Sequence, residues 1–496
     1  MKIKRILSLL LTFIISLTAL GVQTTAAESR ESKPFSMGVL FSPEDSLDPA
    51  TVTSPGGMVL LFSVYDSLAT MSQDGMDLRM AKSIEANEDY TVYTVTLKDN
   101  LIFSDGTDVT GEDVLKSLNH LAKSHSYQSI YGNLDTEKSK AEEKRVHFVL
   151  KEPASDFVES SIGMFSPVAK DGAFDGVGAG AYLVEKGDPL NGFVLKANEK
   201  YYAGKPSIPQ VTILNVPDSS SRVKALQTGE IDYAWGLDGA AIQVLSKERD
   251  IELPSGSLDG ALALELVLNT RVEPFNDPEL RKAAKLTVDR EKLIKTILGE
   301  YGEVGNDMLG KGFETYPTDV EQIKVDKEEA KRIFARKGLQ EFTIVSSDLT
   351  PGLNKATEMM VQDFKEVGVH VKVEQIDPQV FFAQMGEIYQ KAAFTFYWVN
   401  RTPLAEFRSQ ILKDSIYNVS GYYSENTEKK FLEATTTNDE SQSEAIQELS
   451  REIHDLGGDL IWGYQMDISA KRKGFEAPLT ESVPWLAEAT FIPEEN

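Results

Sequence analysis

The sequence predicts an α/β protein of two or three domains, and its length, composition and element order support that prediction. A chain of 496 residues is longer than one hydrophobic core usually serves, and 41% hydrophobic with 26% charged residues is an ordinary globular composition. Between residues 327 and 373 the pattern reads helix, strand, helix, strand. That repetition predicts a parallel type of sheet flanked by helices.

The first part of the chain mixes strands and helices without strict alternation. Residues 91–97 alternate between polar and apolar side chains and predict a strand, as do residues 146–150. Between them, Thr110 followed three residues later by Asp113 predicts the N-terminal cap of a helix. That helix continues with an apolar stripe of Val114, Leu115, Leu118 and Leu121.

Residues 178–235 have the most informative order of elements in the chain. Gly178 and Gly180 predict a tight turn with positive φ, because glycine has no Cβ to oppose that conformation. The elements expected after this turn are strands at 181–184, 193–195 and 211–216, and a helix that begins behind Asp218 and ends at Gly229.

The middle of the chain carries clear helix boundaries. Asp277 predicts a cap with Pro278 in the first helical position, where the missing N–H of proline is not needed. Two later helices are expected to end at Gly338 and Gly368. The remaining expected elements are strands at 342–345 and 369–373 and a charged helical region at 426–455 with a polar break at 435–443.

The first 27 residues have the pattern of a secretory signal peptide. Three basic residues precede an apolar run over residues 6–20, and Thr25-Ala26-Ala27 supplies the small residues of a cleavage site. An uncleaved membrane anchor is the alternative, but the run is short and its far flank is small and polar. We therefore expect export and cleavage after Ala27.

Cysteine content and net charge exclude several classes of function. The chain has no cysteine, which excludes disulfides, thiol catalysis and zinc sites built on thiolates. The formal net charge is −26, and the loss of three basic signal residues makes the mature chain −29. Such an acidic field opposes nucleic acids and anionic membranes. It fits a cationic or zwitterionic ligand, or simply solubility in an exposed compartment.

Several stretches agree in order and spacing with one known family. The clearest are LKDNLIFSDGT at 97–107, NEKYYAGKP at 198–206 and GEID at 229–232. Together they closely resemble the extracellular solute-binding proteins of peptide and nickel ABC importers, family 5. Further similar segments lie at 64–68, 112–114, 268–270, 275–283 and 288–290, so that the resemblance covers roughly positions 40–490.

The resemblance implies a fold, a domain division and a function. The fold is a two-lobed periplasmic-binding-protein-like α/β fold of the large, cluster C type. The first lobe is expected at 28–265 and 461–496, with an extra subdomain at roughly 60–180, and the second lobe at 266–460. The implied function is to capture a small peptide-like solute between the lobes and deliver it to an ABC permease with its ATPase subunits. Nickel or another metal–chelate complex is the alternative cargo.

The same resemblance implies a binding protein and not an enzyme. We expect no cofactor, no nucleic-acid partner and a monomer, and the missing lipid-attachment cysteine favours a free periplasmic protein. An exported hydrolase is the alternative from another class, although the chain has neither His-Glu-x-x-His nor Gly-x-Ser-x-Gly. Its five histidines are scattered and predict no metal site.

The candidate ligand site lies where a buried strand gives way to polar residues. Residues 394–399 are apolar or aromatic on both faces, and ligands of open α/β sheets bind beyond the carboxyl ends of strands. Thr402 and Pro403 predict a helix N-terminus whose backbone donors lie beside Arg401. That corner suits a ligand carboxylate, and the nearby candidate contacts are Trp398 as a stacking wall, Tyr397, Asn400 and Arg408.

Two further candidates come from the first lobe. Trp235 follows the GEID stretch, where the first lobe should meet the cleft, and Thr53 belongs to a loop that resembles one reaching into the family's cleft. A structural role is the alternative at each position. In that case Trp235 and Trp398 are core residues, Arg401 pairs with a surface carboxylate, and residues 51–54 only form a turn.

The site residues depart from both kinds of relative. Many peptide-binding members have an Asp after the strand that corresponds to 394–399, and it holds the amino group of the peptide. Nickel-type members often have Asp-Pro-His there. This chain has Asn400-Arg401-Thr402 followed by Pro403-Leu404, so the cargo stays open between a peptide and a metal chelate.

Overall fold

The computed structural model of the chain describes residues 34–72, 75–253, 256, 258, 260–413, 415, 417–480 and 483–492. The predicted signal peptide lies outside the described residues. Within those ranges, none of the helices combines the length and apolar character that crossing a membrane requires.

The first main sheet of the described chain has seven strands in the order β12-β19-β11-β1-β10-β9-β8. The central strand β1 is parallel to β10 and β11, and the other pairs are antiparallel. This sheet joins segments from both ends of the chain. Its strands are β1 (Phe35–Val39), β8 (Tyr182–Asp188), β9 (Gly192–Ala197), β10 (Gln210–Asn215), β11 (Tyr233–Ala234), β12 (Ile251–Glu252) and β19 (Ala470–Arg472).

The second main sheet has six strands in the order β14-β18-β13-β17-β15-β16. Its strands are β13 (Leu262–Leu268), β14 (Gly302–Val304), β15 (Glu341–Ser346), β16 (His370–Gln375), β17 (Ala393–Val399) and β18 (Asp459–Gln465). The predicted parallel pairing is confirmed for β15 with β16 and β17. The other pairs are antiparallel, because they do not belong to the strand–helix–strand repetition.

A four-stranded antiparallel sheet, in the order β4-β5-β7-β6, lies between the first two strands of the seven-stranded sheet in sequence. It consists of β4 (Ala81–Ala86), β5 (Val92–Leu97), β6 (Lys140–Ala141) and β7 (Arg145–Val149). Three short ribbons complete the described strands. They are β2 (Ala69–Ser72) with β3 (Gly75–Leu78), β20 (Phe475–Glu476) with β23 (Thr490–Phe491), and β21 (Leu479–Thr480) with β22 (Val483–Pro484).

Helices cover the sheets and connect their strands. They are α1 (Pro55–Val64), α2 (Gly111–Lys123), α3 (Gln128–Tyr131), α4 (Ser219–Thr228), α5 (Gly239–Leu245), α6 (Pro278–Thr287), α7 (Arg290–Leu293), α8 (Lys327–Lys337), α9 (Leu353–Glu366), α10 (Met385–Ile388), α11 (Pro403–Gln410), α12 (Glu425–Ala434) and α13 (Glu440–Leu456). Two π-helices span Val158–Ile162 and Ile294–Leu298.

Most of the predicted helix boundaries are confirmed by capping contacts. Thr110 and Asp113 form a reciprocal capping box at the start of α2, and Asp277 caps α6. Asp218 accepts a hydrogen bond from Ser221 at the start of α4, and Gly229 ends that helix with φ 78°. Local sequence signals therefore determine these helix ends.

Two local predictions were wrong. Gly178 and Gly180 are not in the positive-φ region; they are needed because a Cβ would lie 2.1 Å and 2.5 Å, respectively, from backbone atoms at the end of α1. The polar break predicted at 435–443 is shorter in the structure. Asp439 caps α13, so residues 440–443 are helical and do not belong to the break.

Buried apolar side chains gather around each of the two main sheets, around the four-stranded sheet, and in a small cluster under α11, α12 and α13. The predicted lobe boundaries at 265/266 and 460/461 fall inside β13 and β18, which pair within the six-stranded sheet along their length. The division into lobes stays a prediction. Because β13 and β18 pair along their length, we expect the chain to cross between the lobes before β13 and after β18.

Candidate functional site

A pocket lies between the carboxyl end of β1 and the carboxyl end of β17. Its lining comes from both main sheets and includes Leu40, Ser42, Thr53, Leu349, Gln379 and Tyr397. The space between these side chains, including the part open to solvent, is about 300 Å³. Two strands from different sheets thus end at one space, which is the usual place for a ligand in an open α/β sheet.

A buried carboxylate holds the loop that follows β1. Asp45 accepts hydrogen bonds from the backbone N–H of Ser42 at 2.8 Å and of Thr53 at 3.0 Å, and from the hydroxyl of Ser54. Ser54 also caps α1 by accepting from the N–H of Gly57 at 3.1 Å. This arrangement leaves the side chain of Thr53 exposed at the edge of the pocket.

Two long hydrogen bonds cross the mouth of the pocket. The hydroxyl of Ser42 donates to the backbone oxygen of Gln379 at 3.5 Å, and the amide of Gln379 donates to the backbone oxygen of Phe41 at 3.4 Å. Bonds of this length contribute little free energy. They can therefore break without a large cost if the two sides separate.

Arg401 follows β17, and its positive charge acts on three tyrosines. Burial raises the pKa of Tyr397 and of Tyr417 above the usual value, and the positive charge of Arg401 opposes that rise at both rings. The same charge acts on Tyr127, whose pKa is also raised by burial. The hydroxyl of Tyr417 donates to the backbone oxygen of Ser126 at 3.1 Å. A guanidinium and several phenols can together bind an anionic oxygen.

Trp398 is buried, with 7% of its surface exposed. Its indole Nε1 donates to Oε1 of Glu265 at 2.9 Å, and its ring centroid lies 6.3 Å from that of Tyr417. Glu265 is fully buried in β13, and burial raises its pKa well above the usual value. The interior role proposed as the alternative accounts for most of the Trp398 surface, and its contact with a ligand stays a prediction.

Asn400 serves the packing of neighbouring loops. Its side-chain oxygen accepts from the N–H of Gly310 at 3.2 Å, and its amide donates to the backbone oxygens of Lys311 at 2.8 Å and Leu258 at 3.5 Å. All these bonds are internal to the protein. Asn400 therefore holds the end of β17 in place, and its contact with a ligand stays a prediction.

Arg408 forms a buried ion pair with Asp156. Its Nε donates to Oδ2 of Asp156 at 2.8 Å, a second bond joins Nη2 to Oδ1, and the guanidinium lies 4.9 Å from the ring centroid of Phe431. The side chains of Arg408 and Asp156 are 9% and 0% exposed. The predicted extra charge for a ligand is thus engaged by a protein carboxylate.

Trp235 lies half-buried beside the segment that leads from β18 to β19. The backbone N–H of Leu237 donates to the oxygen of Ile468 in that segment at 2.7 Å. Burial raises the pKa of Asp467 to about 6, and the polar side chains of Ser469 and Trp235 oppose the rise. Trp235 therefore marks the place where the chain passes from one main sheet to the other.

Sequence reasoning missed Asp45, Tyr127, Tyr417 and Glu265. None of them lies in a motif. The partners of Glu265 and Tyr417 are distant in the chain, whereas Asp45 bonds within its own loop without a recognisable pattern. The histidines remain separate: His120 contacts Asp48 at 2.9 Å, and His147 contacts Thr94 at 3.0 Å. In the described part of the chain, no three His, Cys, Asp or Glu side chains are grouped so that they would hold a metal ion.

Two mixed sheets with a pocket between the ends of their strands define an α/β solute-binding protein of the two-lobed class. The family model for bacterial extracellular solute-binding proteins, family 5, middle region, matches residues 76–414. That match covers more than half of the chain, and the protein belongs to this family.

Known proteins resemble the chain over nearly its whole length. It is 24% identical over 473 residues to the glutathione-binding protein GsiB of Escherichia coli O6:K15:H31 (strain 536 / UPEC), which covers 88% of this chain and 90% of that protein. The crystal structure of NikA from Staphylococcus aureus in complex with Ni(L-His)2 has a TM-score of 0.82 at 17% identity, and covers 92% of this chain and 100% of that chain.

A third comparison gives the same fold with another kind of cargo. The dipeptide binding protein from Pseudoalteromonas sp. SM9913 in complex with Met-Leu has a TM-score of 0.83 at 17% identity, and covers 92% of this chain and 100% of that chain. The predicted two-lobed fold is thereby confirmed. Family membership makes the protein an extracellular-type solute-binding component of an ABC importer, and not an enzyme.

Proposed function

We propose that this protein captures a small peptide-like solute with a free carboxylate between its two lobes and delivers it unchanged to an ABC permease with its ATPase subunits. The observation that carries the proposal is the position of Arg401 directly after β17, where its positive charge acts on the phenols of Tyr127, Tyr397 and Tyr417. A guanidinium in a partly dry site binds carboxylates strongly.

Recognition through a carboxylate also follows from the position of Asn400. Peptide-binding relatives hold the amino group of the peptide with an aspartate after the equivalent strand, whereas Asn400 is engaged by Gly310, Lys311 and Leu258. The solute's negative end therefore becomes the main polar contact in this proposal. Tyr397 and Thr53 line the pocket, and Trp398 and Trp235 are proposed as further contacts.

The proposed mechanism is closure about two chain crossings. The crossings lie in the segments before β13 and after β18, and Trp235 packs beside the second. A solute closes the molecule only if it contacts both sides better in the closed form than in the open form. The weak bonds between Ser42, Phe41 and Gln379 fit a mouth that opens. We propose a periplasmic monomer for this role.

A metal chelate is the second candidate cargo. The same guanidinium suits the carboxylates of a chelator, and a protein of this fold carries Ni(L-His)2 in Staphylococcus aureus. The two candidates differ in what the solute must contain. A peptide binds without metal, whereas the chelate reading requires a metal and its chelator together.

The test is to identify the solute and measure the stability it adds. Native mass spectrometry of freshly purified protein detects cargo carried from the cell. Thermal unfolding is then measured with Met-Leu, glutathione and Ni(L-His)2, and the right class adds about 2.7 kcal/mol at 100 times its dissociation constant. If Ni(L-His)2 stabilises the protein and neither peptide does, the cargo is a metal chelate and not a peptide. A solute that emerges chemically changed would overturn transport as the function.

A further inference from the structure

A second contact, separate from the pocket, joins the four-stranded sheet region to the helices that follow β17. On one side is the segment 155–162, which includes the π-helix Val158–Ile162; on the other side are α11, α12 and α13. The backbone N–H of Ser155 donates to the oxygen of Thr435 at 2.7 Å, and the hydroxyl of Ser155 accepts from the amide of Gln442 at 2.8 Å. These bonds fix the outer edge of the contact.

Two acidic side chains occupy the centre of the contact, one helical turn apart. Asp156 is paired with Arg408 in two hydrogen bonds and also accepts from the hydroxyl of Ser160 at 2.8 Å. Glu159 is half-buried, and its Oε1 is hydrogen-bonded to the hydroxyl of Thr402, the cap of α11. Arg408 supplies one positive charge, and two of its guanidinium nitrogens already donate to Asp156.

Within the described part of the chain, the elements packed most closely against Glu159 do not supply a second positive charge. The elements packed most closely against the π-helix are α11, α3 and β2. Their titratable side chains are Glu406 and Arg408 on α11 and Tyr131 on α3, and β2 has none. Tyr131 donates its hydroxyl to the backbone oxygens of Ser161 and Phe165, at 3.1 and 2.8 Å.

We propose that this contact is a proton-dependent latch, which joins the two lobes when they close and takes up one proton at Glu159 as it forms. Of Asp156 and Glu159, only Asp156 forms an ion pair with a cation of the described residues, so burial of the contact favours the neutral carboxyl at Glu159. A neutral carboxyl keeps its hydrogen bond with Thr402. The proposal rests on closure of the lobes as described under the proposed function.

The pH dependence has a definite sign. Burial, together with the charge of Asp156, raises the pKa of Glu159 to about 7 from an ordinary value of 4.5. In an open form, water reaches the carboxyl and removes both causes. The pKa is therefore higher in the closed form, so closure is favoured as pH falls and that advantage is lost as pH rises through about 7. The closing equilibrium constant should be about 30-fold larger near pH 5.5 than near pH 8.5.

The test uses the full chain without solute, so that its failure is distinct from failure of the proposed function. The chain has no cysteine, so spin labels attach only at introduced positions. Glu88→Cys, exposed between β4 and β5, and Lys429→Cys, exposed on α12, place one label on each side of the contact. Pulsed electron paramagnetic resonance then measures the distance between the labels from pH 5.5 to 8.5.

The short-distance fraction is expected to rise as pH falls through about 7 in the labelled parent. Glu159→Gln mimics the neutral carboxyl and should give a high short-distance fraction at every pH. Glu143→Gln removes an exposed carboxylate from the same region and should keep the parent's pH response. A parent distribution that does not change with pH, or a pH response that survives in Glu159→Gln, overturns the latch. A circular dichroism spectrum equal to the parent's confirms that each variant is folded.

Discussion

Arg401 and Arg408 lie on one short segment, yet the two ends of that segment have opposite surroundings. Arg401 is half-buried at the end of β17, where its charge acts on the phenols of Tyr397 and Tyr417. Arg408 is buried inside the contact with Asp156, and its guanidinium lies over the ring of Phe431. Arg408 holds two parts of the protein together, whereas contact with a solute is the role proposed for Arg401.

The comparison teaches that an arginine near a ligand site is not by itself a ligand residue. For Arg408 the protein itself supplies a carboxylate, which is 252 positions away in the chain. A buried guanidinium with a bidentate carboxylate has little attraction left for a solute.

The largest expected effect is that of Arg408→Met on stability. Removing the guanidinium leaves Asp156 buried without a cation, which should cost about 3–5 kcal/mol in the free energy of unfolding. Arg401→Met, the matched control, should change it by less than about 1 kcal/mol. Urea unfolding followed by circular dichroism measures both. An equal loss in the two variants would contradict the distinction drawn between the two arginines.

A double variant makes the same comparison sharper. If the loss in Arg408→Met comes from the unpaired charge of Asp156, then replacing Asp156 by Asn in that background should restore much of the lost stability. If the double variant is instead less stable than Arg408→Met, the effect of Arg408→Met comes from lost packing against Phe431 and not from the ion pair.

Much of the fold could be predicted from the sequence because its signals are local. Asp277 with Pro278, the capping box of Thr110 and Asp113, and Gly229 each determine a helix end through bonds within one turn. The motifs indicated the family, which the family model confirms, and the two-lobed fold was predicted from that resemblance. Gly178 and Gly180 show the limit, because their purpose is close contact with the end of α1, more than 100 residues earlier.

The site was harder to predict because its residues are defined by distant partners. The local pattern around residues 394–403 indicated the correct strand end, and the cap at Thr402 is present. Nothing in that pattern distinguishes Arg401 from Arg408 or shows that Asn400 bonds to Gly310 and Lys311. Such assignments require the tertiary structure.

Arg401→Met should weaken the binding of a carboxylate-bearing solute by about 10- to 100-fold, because a hydrogen bond to a charged group is worth about 1.5–3 kcal/mol. Isothermal titration calorimetry with the cargo found by native mass spectrometry measures the change. Arg451→Met is the control, since that arginine is on α13 and pairs with Asp319 at 2.8 Å. Unchanged affinity in Arg401→Met would remove Arg401 from the site.

The last expected effect, similar in size, is that of Asn400→Asp, which introduces an aspartate at the end of β17. The new oxygen would face the backbone oxygens of Lys311 and Leu258, where the amide of Asn400 now donates. The loss of stability should be about 1–3 kcal/mol at neutral pH. Repulsion raises the pKa of the introduced carboxyl in the folded protein, so the loss should shrink as pH falls toward about 4. Urea unfolding at both pH values measures this, and tighter binding of Met-Leu with no loss of stability would show that Asn400 faces the solute after all.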